Sequence, residues 1–381
     1  MYLPLIDTIL LATLGVLFFY QLYFYVRYIG GSVRNHKREK KGKHALSIGQ
    51  PGVSVIICAH NEAYNLQTYL TYILEQDYPQ YEVIVINDGS VDDTPYILDH
   101  YARIYPHLKI TFVPKGARII SSKKLGLTLG VKAAKYDYLI FTDADCVPAD
   151  KTWIKQIMSR YTDQIDIVLG YGAYFREKNI LNTLIQYDTF FHALQYLGMA
   201  EAGKPYMGVG RNLSYKKDLF LTHNGFGNTL HLCAGDDDLF VNKAATKHNT
   251  RIVTTRESVT YSVPKDNWKD WIHQKKRHLH VSPYYNTKSK LRIGIEPLTR
   301  GAFYAIALAC MIVGNMYTAL AAAALLLLRY TYQSIIINLS AKQLGQKYFS
   351  IGILIYDIVL PLINLHILLW GRGKKKRNLQ W

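Results

Sequence analysis

Short apolar runs alternate with amphipathic stretches between residues 51 and 145, and this alternation limits the fold more than any other feature of the chain. The predicted strands are 53–58, 81–86, 109–113 and 138–142, and the predicted helices include 66–74 and 123–134. Strands that alternate with helices indicate βαβ units, so we predict an α/β fold with a mostly parallel sheet. Ligands of such sheets bind beyond the carboxyl ends of the strands, where Asp88 and Asp143 lie.

The fourth run ends in an Asp-x-Asp sequence formed by Asp143 and Asp145. Alternate residues of a strand point to the same face, so the two carboxylates lie side by side and repel each other. A hard divalent cation relieves this repulsion, and we predict a site for Mg²⁺ or Mn²⁺. The alternative is a helix cap, in which Asp145 or Asp150 starts the helix that begins near Trp153.

The formal net charge of +17 is concentrated in two clusters, at 34–43 and 374–377, and each of them follows an apolar segment. Basic clusters beside membrane spans mark the cytoplasmic side and attract anionic lipid, so membrane lipid is the expected partner and nucleic acid is not. The four cysteines are scattered without the spacing of a zinc site or a disulfide framework, which indicates a reducing compartment.

Apolar segments at both ends are long enough to cross a bilayer. Residues 1–30 are predicted to be a retained transmembrane anchor, because the segment lacks the basic start and the cleavage site of a signal peptide. Two further spans are predicted at 302–328 and 350–370, within a membrane region at 298–372, and residues 335–339 could form another span or lie in the interface. Three spans put a basic linker (31–50), the central domain (51–297) and a basic tail (373–381) in the cytoplasm, and we expect a bacterial inner-membrane protein.

Four motifs in the first half resemble the nucleotide-sugar half of a family 2 glycosyltransferase of the GT-A (Rossmann-like) type. They are the segment 54–62, the Asn-Asp-Gly-Ser turn that starts at residue 87, Lys123, and Asp143-Ala-Asp145. The resemblance implies a donor half at 51–150 and an acceptor half at 151–297. It also implies that Glu62 and Asp88 contact the nucleoside, that Lys123 contacts the diphosphate, and that Asp143 and Asp145 serve the ribose and the metal. The chain departs from the family pattern at Ser122 and Thr128, where the family usually has Gly and Asn.

Three consecutive carboxylates, Asp236, Asp237 and Asp238, open a predicted helix in the second half. One acid would be enough for capping, although an acid-rich helix start is the alternative. The family resemblance places the general base for the acceptor hydroxyl on Asp237, with Asp236 raising its pKa by repulsion. Before this motif, a glycine-rich stretch with Gly210 and Asn212 could bring backbone close to an acceptor, or form a plain turn.

The segment 268–278 interleaves aromatic and basic residues and resembles the Gln-x-x-Arg-Trp signature of the same family, with His278 in the place of Trp. The resemblance implies that Gln274 and Arg277 lie near the donor diphosphate, and it makes Trp271 and His278 candidates for the acceptor site. A helix at the membrane surface and a solvated basic face are the alternatives.

These observations predict a metal-dependent, inverting, membrane-anchored glycosyltransferase. It would move a sugar from a nucleoside-diphosphate sugar to a lipid-linked or glycan acceptor at the cytoplasmic face. A processive polysaccharide synthase, a sugar-polymer translocator and a non-catalytic nucleotide-sugar-binding scaffold are the alternative functions. The small number of spans favours single addition, and the complete set of acidic residues argues against a non-catalytic scaffold.

Overall fold

The computed structural model describes residues 4–40, 49–114, 122–350 and 352–370. The basic residues at 41–43 and 374–377 lie outside this part of the chain. The described part contains the strands β1 (Val53–Ala59), β2 (Tyr81–Asn87), β3 (Leu108–Phe112), β4 (Tyr138–Asp143), β5 (Cys146–Pro148), β6 (Ile167–Leu169), β7 (Gly172–Tyr174), β8 (Leu213–Lys216), β9 (Thr250–Ile252) and β10 (Thr260–Ser262).

The described helices are α1 (Leu5–Phe24), α2 (Gly31–Lys40), α3 (Ala63–Leu74), α4 (Thr94–Ile104), α5 (Ser122–Ala133), α6 (Trp153–Met158), α7 (Ile180–Glu201), α8 (Lys217–Thr222), α9 (Asp238–Ala244), α10 (Trp268–Val281), α11 (Thr287–Val313), α12 (Met316–Gln343) and α13 (Gly352–Trp370). A π-helical turn, Tyr25–Ile29, joins α1 to α2.

Seven strands form one sheet in the order β3-β2-β1-β4-β8-β6-β9. Only β8 runs antiparallel to both of its neighbours, so the predicted α/β fold with a mostly parallel mixed sheet is confirmed. All seven residues of β1 are buried, as is typical of a parallel strand covered on both faces. Helices α3, α4 and α6 cover one face of the sheet, and α5 and α7 cover the other.

The pairing register brings the polar ends of the parallel strands together. Ala59 pairs with Asn87, and Cys58 pairs with Asp143, so Asp88 and Asp143 lie at the same edge of the sheet. A second sheet of three short strands, β5-β10-β7, lies next to this edge. Its first strand begins directly after Asp145.

The chain enters the domain along α2, which crosses α7 where Gly31 and Gly198 meet. A side chain at Gly198 would place its Cβ 1.5 Å from the Tyr28 carbonyl oxygen, so only glycine permits this approach. The described part of the predicted 31–50 linker is therefore a packed helix. Arg34 and Arg38 of α2 also bind Glu201 at the end of α7, at 2.9 and 2.8 Å.

Four helical segments of the described chain are long and apolar enough to cross a membrane, one near the N-terminus and three towards the C-terminus. The predicted span at 302–328 is wrong, because α11 ends at Val313 and α12 begins at Met316. A new helix begins there because the Asn315 side chain caps α12 by accepting a hydrogen bond from the Thr318 amide. Helix α11 also begins ten residues before the predicted domain boundary at Pro297, which lies inside it.

Helix α13 differs from the other three in what it contacts. Helices α1, α11 and α12 share an apolar cluster that contains no described residue of α13. Ile353 and Leu360 of α13 belong to the core that includes the sheet, which Phe24 of α1 and Ile337 of α12 also reach. The Tyr356 ring lies 4.9 Å from that of Tyr187 in α7, and residues 359–367 line a crevice with α10. Helix α13 therefore follows the surface of the sheet domain along most of its length.

A buried cluster of four charged side chains joins α13 to α11 and α12, and we call it the polar clamp: Glu296, Arg300, Arg329 and Asp357. Asp357 accepts hydrogen bonds from Arg300 at 2.8 Å and from Arg329 at 2.7 Å. The second Arg300 nitrogen binds Glu296 at 2.9 Å. Two guanidinium groups thus face two carboxylates, and this pairing fixes the position of α13.

Candidate active site

The carboxylates of Asp143 and Asp145 lie at the carboxyl end of β4, as predicted. Their oxygens and the Cys146 sulfur lie within 4.8 Å of one another. Burial and the neighbouring Asp143 carboxylate raise the pKa of Asp145, whose oxygens accept hydrogen bonds from Ser262 (2.7 Å) and Cys146 (3.4 Å). Burial also raises the pKa of the Cys146 thiol well above its usual range, so this group stays protonated. Two repelling carboxylates beside a neutral thiol fit a hard cation such as Mg²⁺ or Mn²⁺ better than a soft one.

Lys123, in the first turn of α5, bridges the two acidic parts of the site. Its ammonium nitrogen lies 3.0 Å from Asp143 Oδ1 and 3.5 Å from Asp236 Oδ2. Burial alone would lower the pKa of Lys123, but Asp143, Asp236 and Asp237 raise it. The same ammonium lowers the pKa of Asp143, although burial acts in the opposite direction. Lys123 therefore keeps its positive charge at neutral pH, as contact with a diphosphate requires.

Asp88 and Glu62 lie where the first two parallel strands end. Asp88 is 7% exposed, and its Oδ2 atom has no hydrogen-bond partner among the described residues. Burial raises the pKa of Glu62, whose carboxylate accepts a hydrogen bond from Asn65. A buried acceptor without a donor is unfavourable unless a ligand supplies one, so Asp88 is suited to bind a nucleoside N–H or O–H group.

Arg211 also lies at this edge of the sheet, and it was not predicted from the sequence as a site residue. Its guanidinium stacks on the Tyr174 ring at 4.2 Å and donates a hydrogen bond to the Ala173 carbonyl oxygen at 3.1 Å. Burial would lower the pKa of Arg211, but nearby groups, with Tyr174 first and both Asp145 and Asp143 among them, raise it. The only sequence signal was its place in the glycine-rich stretch. Arg211 supplies a fixed positive charge behind the acidic pair.

The three consecutive acids differ in their surroundings. Asp237 accepts amide hydrogen bonds from Gly210 and Asp238, both at 2.7 Å, while Tyr285 donates to Asp238 at 2.7 Å. Burial, followed by repulsion from Asp236, raises the pKa of Asp237 to about 6. Burial and repulsion from Asp237 raise the pKa of Asp238 to about 8. Asp237 is thus ionised near neutral pH but basic enough to accept a proton.

Lys124 supports the loop in front of these acids and was also missed in the sequence. Its ammonium group is fully buried and donates to the carbonyl oxygens of Thr229 (2.6 Å), Leu232 (3.1 Å) and Ala234 (2.7 Å). Burial lowers the pKa of Lys124. Its neighbour Lys123 faces the cleft, so two adjacent lysines have different tasks that the sequence alone does not separate.

Helix α10 carries the predicted Gln274, Arg277 and His278 along the site. Gln274 donates a hydrogen bond to the Tyr174 hydroxyl at 3.0 Å. Arg277 is close enough to Asp143 to lower the pKa of that carboxyl, although burial and Lys123 have larger effects on it. His278 is exposed, and Trp271 is buried with an exposure of 2%.

Two of the predicted acceptor residues have contacts that suit other roles. Gly210 lies beside Asp237 and donates its amide to that carboxylate, so it helps to position the acid. Asn212 is 1% exposed, and its side chain binds the carbonyl oxygens of Tyr171 and Ser258. The structure therefore places Asn212 in the core, because its amide joins three segments that would otherwise leave buried polar groups unpaired.

We call this group of electrostatically coupled carboxylates the acidic cleft: Glu62, Asp88, Asp143, Asp145, Asp236 and Asp237. Lys123, Arg211 and Arg277 are among the cations near it. Most of these residues lie at one edge of the sheet or on loops next to it. Such an arrangement can hold a divalent cation, a diphosphate and a hydroxyl group that loses a proton.

Comparison with known proteins agrees with this arrangement. Residues 54–220 match the family model described as glycosyl transferase family 2. Glycosyltransferase AglE of Haloferax volcanii is 29% identical over 190 residues, which are 49% of this chain and 59% of that protein. A poly-beta-1,6-N-acetyl-D-glucosamine synthase of Staphylococcus epidermidis is 28% identical over 140 residues, 35% of this chain and 33% of that protein. The chain therefore spans between one third and three fifths of these curated relatives.

Among solved structures, the mannosyltransferase PcManGT of Pyrobaculum calidifontis, in complex with GDP-Man and Mn²⁺, has a similar fold. The TM-score is 0.56 with 20% sequence identity, and the match covers 95% of this chain and 99% of that one. The strand order, the matched family model and the similar fold agree with one another. Residues 54–220 therefore form a glycosyltransferase family 2 segment, and the fold that contains it is of the GT-A type.

Proposed function

We propose that this protein is a metal-dependent, inverting glycosyltransferase that moves a sugar from a nucleoside-diphosphate sugar to a lipid-linked acceptor at the membrane surface. The observation that carries this proposal is the acidic cleft, which brings together the Asp88 oxygen that has no partner among the described residues, the Asp143–Asp145 pair and the half-buried Asp237. The Asp88 oxygen suits a nucleoside, the Asp143–Asp145 pair suits a metal-bound diphosphate, and Asp237 suits an acceptor hydroxyl.

Asp143 and Asp145 would hold the cation, which when bound neutralises charge on the leaving diphosphate. Lys123 and Arg277 add positive charge on the same side, and electrostatic stabilisation of this kind is a large part of catalysis. Asp237 accepts the proton of the acceptor hydroxyl, whose oxygen then attacks the anomeric carbon as the bond to the diphosphate breaks. Because one nucleophile attacks from the face opposite the leaving group, the anomeric configuration inverts.

A lipid-linked acceptor is favoured by the crevice between α10 and α13. Its volume is about 570 Å³, and apolar side chains line most of it: Trp268, Trp271, Ile272, Val359, Leu362, Ile363 and Ile367. Lys276 adds positive charge and His366 adds a polar ring at the same crevice, and both are suited to contact a phosphate. The same α10 carries Gln274 and Arg277 at the cleft, so a lipid chain in this crevice would bring its head group near the donor.

The polar contacts of the helices support a membrane orientation in which α13 does not cross. Asp7 of α1 binds Asn315 at one end of the bundle, and Gln21 binds Arg329 at the other. Asp7 and Tyr25 are separated by about 27 Å of helix, close to the thickness of a bilayer core. Since α13 contains Asp357 of the polar clamp and follows the sheet domain, we propose three crossings by α1, α11 and α12, with α13 in the interface.

A hydrolysis screen tests the donor half of the proposal. Purified protein is incubated with individual UDP- and GDP-sugars and either Mg²⁺ or Mn²⁺, and release of the nucleoside diphosphate is measured without acceptor. We expect metal-dependent hydrolysis of one donor class. Absence of both binding and hydrolysis for every sugar nucleotide would contradict the proposal.

The acceptor half is tested by filling the crevice. Ile363→Trp should reduce transfer to a polyprenyl phosphate at least tenfold while leaving donor hydrolysis unchanged. Leu365→Trp is the matched control, because Leu365 is 52% exposed on the other side of α13. Equal transfer by both variants, or preferred transfer to a soluble glycan, would contradict a lipid-linked acceptor.

Cysteine labelling in sealed vesicles tests the orientation, starting from a Cys233→Ser background. Lys37→Cys and Lys375→Cys should react from one side and Val313→Cys from the other. Labelling of residues 375 and 313 from the same side would mean that α13 crosses.

A further inference from the structure

A basic pocket of about 430 Å³ lies outside the acidic cleft, between the loop after α7, the end of α9 and the first turns of α11. Four cations line it, Lys204, Lys247, Lys288 and Arg292, and none of its lining residues is acidic. The proposed glycosyl transfer does not use this pocket. We propose that it binds the phosphate head group of an anionic membrane lipid.

The walls of the pocket are held together by hydrogen bonds. The Asn286 amide donates to the Asn242 side chain at 2.9 Å, and Asn242 donates to the Tyr206 carbonyl oxygen at 2.7 Å. These contacts fix the end of α9 against the start of α11. Lys204 is held from the third side, because its ammonium group donates to the Tyr28 hydroxyl at 2.9 Å. The four cations therefore surround a preformed space.

The acids near this pocket already have partners elsewhere. Glu201 lies two residues before the pocket, and it binds Arg27, Arg34 and Arg38 at 2.8–3.3 Å. Asp238, at the opposite end of α9, accepts a hydrogen bond from Tyr285. None of the four pocket cations forms an ion pair with a described residue. Their mutual repulsion makes an anion the expected ligand.

The position of the pocket favours a lipid over a soluble anion. Tyr28 lies three residues beyond Tyr25 in the same π-helical turn, which is the depth of lipid head groups under the proposed orientation. On α11, the side chains next to Arg292 are apolar and exposed: Leu291 (59%), Ile295 (41%) and Leu298 (73%). A lipid with its phosphate among the cations could lay its acyl chains along these residues. Basic pockets beside membrane helices bind anionic head groups in this way.

Native mass spectrometry of the full chain in detergent micelles tests the proposal, with phosphatidylglycerol and phosphatidylcholine as probes. The double variant Lys247→Gln, Arg292→Gln removes two pocket charges. The matched control is Lys151→Gln, Lys155→Gln, which removes two exposed charges on and beside α6. We expect at least tenfold weaker binding of phosphatidylglycerol to the pocket variant only, with phosphatidylcholine binding, melting temperature and donor hydrolysis unchanged.

Two results would overturn the proposal. Equal loss of phosphatidylglycerol binding in both double variants would mean that overall charge, and not this pocket, attracts the lipid. Inorganic phosphate that binds the wild-type pocket as tightly as phosphatidylglycerol would assign the pocket to a soluble anion. The binding of phosphatidylglycerol and of phosphate can be measured even if the donor screen fails. The lipid site and the proposed transferase activity are therefore tested separately.

Discussion

Two groups of charged residues stand out in this protein: the polar clamp is buried and the acidic cleft is partly exposed, and they differ in their balance of charge. The polar clamp matches two guanidinium groups with two carboxylates, and Gln333 and Tyr304 donate further hydrogen bonds to Asp357 at 3.0 and 2.6 Å. Among the described residues, the acidic cleft has six carboxylates, and Lys123, Arg211, Arg277 and Lys265 are the cations near them. The polar clamp is neutral within the fold, whereas the acidic cleft becomes neutral only when positive charge is added.

This difference in charge balance indicates that the polar clamp stabilises the fold and that the acidic cleft serves activity. A balanced buried ion cluster holds elements together, and removing one member leaves an uncompensated charge that destabilises the fold. An unbalanced cluster stores repulsion, and functional sites are places where such strain is kept because ligand binding uses it. Variants of the clamp should therefore lower stability, and variants of the cleft should lower activity without lowering stability.

The largest expected effect comes from Asp145→Asn. Losing one metal ligand removes several kcal/mol of charge stabilisation, so turnover should fall on the order of 10³-fold and Mn²⁺-dependent donor binding should be lost. The melting temperature should stay the same or rise, because a half-buried carboxylate that is repelled by Asp143 is gone. Calorimetry with the donor and thermal unfolding measure these effects.

Asp150→Asn is the control for that variant, since Asp150 is exposed and its side-chain carboxylate accepts hydrogen bonds from Thr152, its own neighbour. It should keep full activity. Unchanged metal-dependent donor affinity in Asp145→Asn would remove the metal assignment and leave the Asp-x-Asp pair as a structural turn.

Asp357→Asn tests whether the polar clamp stabilises the fold. The change leaves Arg300 and Arg329 with one carboxylate between them, and breaking a buried pair costs about 3–5 kcal/mol. We expect a clearly lower melting temperature and faster proteolysis of α13. Adding Arg329→Gln should recover part of the loss, because it restores neutrality. A melting temperature equal to that of the wild type would mean that the cluster does not hold α13 in place.

The first four strands were predicted from sequence to within one residue, whereas the five short strands β5, β6, β7, β9 and β10 were not predicted. For example, β1 and β2 each end one residue after their predicted limits, and β4 ends at Asp143 itself. Buried parallel strands are continuous apolar runs bounded by polar residues, so the signal is local. Asp88, Asp143 and Asp145 were found for the same reason, because a polar tip on an apolar run is visible without the fold, whereas the roles of Glu62, Asp236 and Asp237 came from the family resemblance.

Features that depend on distant contacts were not predictable in this way. Lys124 and Arg211 look like ordinary surface cations in the sequence, and their roles come from carbonyl groups and rings far along the chain. The apolar content of 302–328 hid the break at Gly314, since hydropathy does not register a cap such as Asn315. Hydropathy also cannot separate a crossing helix from one that lies in the interface, as we propose for α13.

Within the cleft, Asp237→Asn separates proton transfer from binding. We expect turnover to fall by ~100-fold or more while the donor dissociation constant stays nearly unchanged, which is the usual contribution of a positioned base. Asp236→Asn should reduce turnover less, because that carboxylate acts on its neighbour and on Lys123. Lost donor affinity with normal turnover in Asp237→Asn would make this acid a binding or structural group, and Asp238 would become the next candidate.

The smallest expected effect is a shift in the pH dependence. A base must be ionised to act, and burial followed by Asp236 raises the pKa of Asp237 to about 6. Activity at low donor and acceptor concentrations should therefore be constant above this pH and fall about tenfold per pH unit below it. In Asp236→Asn one of the two causes is removed, so the midpoint should move to lower pH while burial keeps it above the ordinary value of an aspartate. An unmoved midpoint in that variant would assign the raised pKa to burial alone, and a profile without an acid limb would exclude Asp237 as the base.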